Sequence, residues 1–172
     1  RDTAARAHYT AEERRATKPF TGNSDTVFAD KQVDAYSIDK DTDGKEFAVV
    51  DEDILKDVAR SQWPKAVMQA LKERYPNGFM RDGWHIELTR DGRKEFTSSR
   101  DMQRMAWEQP QMYADKLRMG ANLDDVIAVG ENLRSEELKH VRKDDIVSFN
   151  RSDVRVRVGA NDYTAEVVTA IK

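Results

Sequence analysis

Three kinds of side chain in this sequence could carry chemistry together. His85 and Glu87 stand two residues apart in "WHIEL", so on a strand they share a face. The run "KHVRKDD", Lys139 to Asp145, offers His140, Arg142 and Lys143. Further on, "VRVRV" sets Arg155 and Arg157 on the face opposite Val154, Val156 and Val158. If the strand at 84–89 and the last strands shared a sheet, these groups would meet on one surface. Such a set suits metal-free RNA cleavage. A histidine takes the 2′-hydroxyl proton, a second acid protonates the leaving 5′-oxygen, and guanidinium or ammonium groups stabilise charge at phosphorus. Imidazole suits the proton steps because it titrates near neutrality. His85, Glu87 and His140 are the catalytic candidates, and Arg142, Lys143, Arg155 and Arg157 the substrate-binding ones. The same letters also describe an ordinary solvated strand face with cross-strand ion pairs and a charged helix-to-strand loop.

A fourth cluster is "DKDTDG", Asp39 to Gly44, which spells the opening of an EF-hand calcium loop. Counting from Asp39, the twelfth position needs a bidentate carboxylate and holds Val50 instead. The flanks, "QVDAYSI" and "KEFAVV", are β-prone rather than helical. Aspartate and glycine at a hairpin tip explain the letters without an ion. The three histidines, His8, His85 and His140, form no zinc-binding spacing, and no GxSxG, P-loop or GxGxxG run occurs. No metal and no cofactor is expected.

The positioning elements follow from pattern. Trp63, Val67, Ala70, Leu71 and Tyr75 recur at helical spacing, with Ser61 as a cap, Pro64 in the first turn and Pro76-Asn77-Gly78 as the stop. Trp84, Ile86 and Leu88 alternate as a strand, with a turn at Arg90 to Arg93 and a return over Lys94 to Thr97. Ser98 and Asp101 read as a capping pair for helices over 99–134, broken near Pro110 and Gly120. In the last of these Leu123, Val126, Ile127 and Leu133 share a face, and Gly130 marks close packing or a local break. Residues 146–149 form a strand, Asn150 to Asp153 a turn, 154–158 a strand, Gly159 to Asp162 a hairpin, and "YTAEVVTAI" the last strand.

The expected class is therefore α+β, with helices on one face of a small antiparallel sheet, an N-terminal helical arm and a short β-hairpin. Residues 1–31 read as the arm and linker. Residues 32–172 read as one domain, comprising a β-hairpin over 32–50, a helix over 61–75, strands over 84–97, helices over 99–134 and a C-terminal β-meander over 145–171. With 172 residues, 38% of them hydrophobic and 35% charged, the chain supports one core. The net charge of −3 lacks the footprint of a strong nucleic-acid binder, although a local basic patch could still meet RNA. Cysteine is absent, no apolar run approaches the ~20 residues of a membrane helix, and no secretory pattern opens the chain, so a cytoplasmic protein without a membrane partner is expected. Arg1 at the start and an apolar run reaching Ile171 suggest a segment of a longer parent chain.

The ordered segments "EFAVVDEDI", "LKERYPNGF", "WHIELTRDGRKEF", "YADKLRMGANLDDVI", "HVRKDD" and "VRVGANDYTAEV" resemble a domain of large polyvalent proteins from phages and conjugative elements. The resemblance covers roughly residues 46–172. That domain has been related to the barnase/EndoU/colicin/RelE-like nuclease fold, so the resemblance implies helices followed by an antiparallel sheet, an origin in a mobile element and a longer parent chain. It assigns no catalytic residue here. Two functions stand side by side. One is a non-catalytic interaction domain whose partners are neighbouring domains of the parent chain or another protein. The alternative is a metal-independent RNA-cleaving domain. The first is favoured because most charged strand faces are only solvated.

Overall fold

In the computed structural model the described residues are 2–3, 8–9, 37–81, 83–138, 140 and 146–171. They form β1 (Asp2–Thr3), β2 (His8–Tyr9), β3 (Ile38–Lys40), β4 (Glu46–Val50), α1 (Trp63–Arg74), β5 (Phe79–Arg81) and β6 (Trp84–Ile86). After these come α2 (Arg90–Ser98), α3 (Arg100–Glu108), α4 (Pro110–Arg118), α5 (Leu123–Ala128), β7 (Glu131–Glu137), β8 (Ser148–Val158) and β9 (Asn161–Ile171). The fold is α+β, as the pattern predicts. The main sheet runs β2-β9-β8-β4-β3, with β7 also paired to β8. A second, three-stranded sheet runs β1-β6-β5.

The long β8–β9 hairpin is the spine. Val154, Val156 and Val158 turn inward with Ala48 and Val50 of β4 and meet Val67, Leu71, Leu117, Leu123 and Val126 from the helices. Full burial of each such side chain contributes ~1.5–3 kcal/mol, so this single cluster holds helices and sheet together. The partner of β8 along this stretch is β4 in parallel, Ala48 beside Val156, so the sheet is mixed where an antiparallel one was expected.

Several elements depart from the sequence reading, each for a local reason. The helical arm does not hold at its described pieces, because residues 2–3 pair in parallel with β6 and residues 8–9 pair with β9; the rest of 1–31 lies outside the described residues, as do 32–36 of the first hairpin. Ser61 falls in a 3-10 turn, Arg60–Gln62, and does not cap α1. The return strand expected over Lys94 to Thr97 is helix α2. Thr89 caps it by accepting from the Gly92 N–H at 3.0 Å, Asp91 suits its first turn, and Phe96 and Thr97 bury one face. Ser99, rather than Ser98, caps α3, accepting from the Met102 N–H.

The breaks near Pro110 and Gly120 are present, the second as a 3-10 turn over Met119–Asn122. The last helix stops at Ala128, so Leu133 is on strand β7 and not on a helical face. Gly130 marks that change. A Cβ there would sit 2.6 Å from Ser152 Oγ, so the chain leaves α5 in contact with β8. The turn expected at Asn150 to Asp153 is continuous strand, because Asn150 pairs with Thr169 and Asp153 with Glu166. Turn-forming side chains are accommodated where sheet partners take up their polar atoms: Asn150 accepts from Ser135 Oγ at 2.8 Å.

Candidate functional site

His85 and the late arginines do not share a sheet. His85 is on β6, paired with Met80 and Asp2 in the three-stranded sheet, while Arg155 and Arg157 are on β8 of the larger one. The His85 Nε2 lies 2.7 Å from the Asn77 carbonyl oxygen, which accepts its N–H. Glu87 follows β6 and is exposed. His140 is exposed in the connection from β7 to β8. Arg142 and Lys143 lie outside the described residues.

The outer face of the β7–β8–β9 sheet carries a cross-strand charge ladder. Arg134 of β7 reaches Asp153 and Glu166, both at 3.0 Å, and Arg151 reaches Glu166 at 2.8 Å and Glu136 at 3.2 Å. Arg155 pairs with Asp41. Arg157 pairs with Asp162 at 2.8 Å and stacks over the Phe47 ring, 4.9 Å from its centre. The hydrogen bonds that Arg134 donates to Asp153, Arg151 to Glu166 and Arg157 to Asp162 push each guanidinium pKa further up. These cations are held by carboxylates of the same sheet and turn. Phosphate would have to compete with those carboxylates for each of them.

Asp41 settles what the acidic stretch does. One of its oxygens accepts the N–H groups of Asp43 and Lys45, both at 2.9 Å, and the other takes Arg155. Gly44 turns at φ 78°, so the stretch is the tip of the β3–β4 hairpin, and it pins that tip to β8. Among the described residues no group of three or more His, Cys, Asp or Glu could hold a metal ion. Calorimetric titration with millimolar calcium is expected to give no binding heat, and Asp41→Asn to leave that result unchanged. A saturating heat lost in the variant would reinstate a calcium loop.

Among the described residues, two clefts bear on function. The first, about 160 Å³, lies between the two sheets, walled by Trp84 and Ile86, the end of α5, Leu133, and the inner side chains Asn150, Ser152, Val167, Thr169 and Ile171. The second, about 660 Å³, lies at the C-terminal end of β4 and carries Asp51, Glu52, Asp124 and Asp125. Its charges are partly met within the fold, by Arg74 on Glu52 and by Arg81, 3.4 Å from Asp125 and 3.6 Å from Asp124. Tyr75 donates to Asp124 Oδ1 at 2.9 Å. Burial and the Asp124 charge push its phenol pKa well up, so it acts as a neutral donor.

Sequence reasoning missed Asp115 of α4, which is 2% exposed. Its carboxylate accepts from Gln111, Arg118, Asn161 and Tyr163, tying α4 to the tip of the β8–β9 hairpin. Arg118 continues to Asp53 at 3.1 Å. Burial alone would raise the Asp53 pKa, but the Arg118 bond, the Leu55 N–H and nearby positive charge outweigh it and hold it low. A buried acid in phase with Gln111 and Arg118 was the available signal; in "YADKLR" it reads as one more helix surface charge.

No curated protein and no solved structure matches the chain. The charge ladder, the inter-sheet cleft and the Asp115 junction all sit in elements between the 3-10 turn at Arg60–Gln62 and the end of β9, and β4 pairs with them from just upstream. That same stretch, residues 59–171, matches the family described as large polyvalent protein-associated domain 3, and the chain belongs to that family.

Proposed function

We propose that the chain is a non-catalytic interaction domain of a large polyvalent protein of a phage or conjugative element, working in the cytoplasm without metal or cofactor. Its partners are neighbouring domains of the parent chain or another protein. Membership in a family associated with large polyvalent proteins supports the setting. The carrying observation is the division of the candidate chemistry. His85 is on one sheet, Arg155 and Arg157 are on the other, and both arginines are engaged by carboxylates. General acid–base catalysis needs its groups within hydrogen-bond reach of one substrate.

The second reading is a metal-independent RNA nuclease, the activity implied by a relation to the barnase/EndoU/colicin/RelE-like fold. It is favoured by the arginine row on the outer sheet face, Arg134 beside Arg151 with Arg155 and Arg157 further along β8. The test is incubation with mixed RNA in EDTA, comparing the chain with a His85→Ala/His140→Ala double variant. Intact RNA with both proteins is expected. Cleavage by the chain that disappears in the double variant would overturn the interaction-domain reading.

A further inference from the structure

β7 is exposed to a degree that its neighbours are not. Glu131 is partly covered and every other residue of the strand is exposed, Leu133 at 69%. Among the described residues β7 pairs only with β8. An unpaired edge is normally guarded by lysine, proline or a bulge. Here a bulge interrupts the register between Glu131 and Arg134, and the strand "ENLRSEE" has neither lysine nor proline. From Arg134 to Glu137 the ladder to β8 is regular.

The side chains of this edge fall into two rows. Glu131, Arg134 and Glu136 share the outer face with Asp153, Arg151 and Phe149. Ser135 and Glu137 point to the inner side with Asn150 and Ser148, and Leu133 lines the cleft between the sheets. Arg134 is taken by Asp153 and Glu166, and Glu136 by Arg151. Glu131 and Glu137 have no ion partner among the described residues. The edge is thus acidic in balance, with one apolar step that opens into a cavity.

We infer that the edge of β7 away from β8, unpaired among the described residues, and the adjoining cleft bind an extended basic segment of a partner protein by strand addition. The inference rests on the interaction-domain reading and names its surface and its partner's chemistry. Backbone pairing to an edge supplies affinity, and alternate side chains supply specificity. Lysine or arginine at the outer positions comes opposite Glu131 and Glu136. An aliphatic residue at an inner position covers Leu133 and enters the cleft beside Trp84 and Ile86. A second copy of this chain that crosses at Arg134 sets Arg134 directly against Arg134, and like charges directly opposite are destabilising.

The test uses the full chain and a fluorescein-labelled heptapeptide of alternating lysine and valine, read by anisotropy at physiological salt. Two comparison peptides are a block version with the same composition and a version with glutamate for lysine. The alternating peptide is expected to bind, and both others to bind weaker by at least about tenfold. Leu133→Lys and Glu131→Lys/Glu136→Lys, at positions of β7 that are exposed or partly covered, are each expected to weaken binding of the alternating peptide by a similar factor. Amides of β7 are expected to gain protection from hydrogen exchange when it binds, which reads the site without any variant. Absence of binding, equal binding of the block peptide, affinity unchanged in Leu133→Lys, or protection elsewhere than β7 would each overturn the inference. So would a dimer of the free chain in sedimentation that Leu133→Lys dissolves, since a second copy would then be the occupant. Failure of the peptide with RNA intact in EDTA discards the edge alone. RNA cleavage lost with both histidines discards the interaction-domain reading, whatever the peptide does.

Discussion

Gly78→Ala is expected to lower folding stability by about 3–5 kcal/mol, two causes adding at one position. Gly78 closes α1: its N–H bonds the Tyr75 carbonyl at 3.2 Å, and its backbone turns to φ 70°. A left-handed conformation alone costs an L-residue ~1–2 kcal/mol. The larger cause is proximity. An added Cβ would lie 2.0 Å from the Ile86 carbonyl oxygen and 2.9 Å from its carbon. Those atoms are backbone of β6, the partner of Phe79 in the β5–β6 pair, so relief requires moving a strand rather than rotating a side chain. Gly83→Ala supplies the control. Gly83 has φ 80°, yet nothing lies within 4 Å of a Cβ there, so only the conformational cost of ~1–2 kcal/mol is expected. Urea midpoints followed by circular dichroism compare the two. Equal losses would mean that α1 and β6 do not approach as closely as described.

Gly78 is legible in the sequence, because Pro76-Asn77-Gly78 ends a run of helical spacing. Its contact with Ile86 was not, since a glycine signals that a side chain is unwelcome but not what would meet it. The same division runs through the chain. The helix over 63–74 was readable from its apolar period and its proline, and the valine row of β8 from strict alternation. Local pattern gave wrong answers where tertiary partners decide. "RDGRKEF" has a turn's letters, but Thr89 capping and the burial of Phe96 make it helix. "NRSD" likewise has a turn's letters, but β7 and β9 on either side hold it in the sheet. Both cases obey one rule: polar residues favour turns because they compete for backbone partners, and they lose that preference once partners are supplied.

The described candidate residues on strands divide between two sheets for a related reason. Alternation correctly put Arg155 and Arg157 on one face of β8, and spacing correctly paired His85 with a strand. Neither states which strand lies beside which. β6 pairs with β1 and β5, while β8 takes β4, β7 and β9. Cross-strand ion pairs are foreseeable from alternation but their members are not, because Asp41 and Arg155 are separated by 114 residues in sequence. An arginine row therefore reads as a phosphate site from sequence and as a self-neutralised ladder in space. The inverse holds for β7, where Glu131 and Glu137 lack an ion partner and the edge away from β8 is unpaired among the described residues.

Asp115 gives the second large effect, and the choice of substitution makes it diagnostic. Four donors converge on this carboxylate: the Gln111 and Asn161 amides, the Arg118 guanidinium and the Tyr163 hydroxyl. A carboxylate is an acceptor only; Oδ2 takes Gln111, Asn161 and Tyr163, and Oδ1 takes Arg118. Asp115→Ala removes the buried acceptor these donors share, while Arg118 keeps Asp53 and the exposed Gln111 and Asn161 amides turn to water, and is expected to cost about 2–4 kcal/mol. Asp115→Asn keeps the volume but turns an amide N–H₂ toward other donors, so it is expected to cost somewhat less, ~1–3 kcal/mol. Tyr163→Phe removes one donor and spares the carboxylate, with an expected cost of ~1–2 kcal/mol. The order Ala, Asn, then Phe in thermal or urea unfolding distinguishes an acceptor hub from simple packing. If Asp115 only filled space, the asparagine variant would match the parent chain. Because Asn161 and Tyr163 stand at the tip of the β8–β9 hairpin, hydrogen exchange in the Ala variant is expected to quicken there and in α4 first, while the far end of the hairpin, Ser148 beside Ile171, keeps its protection.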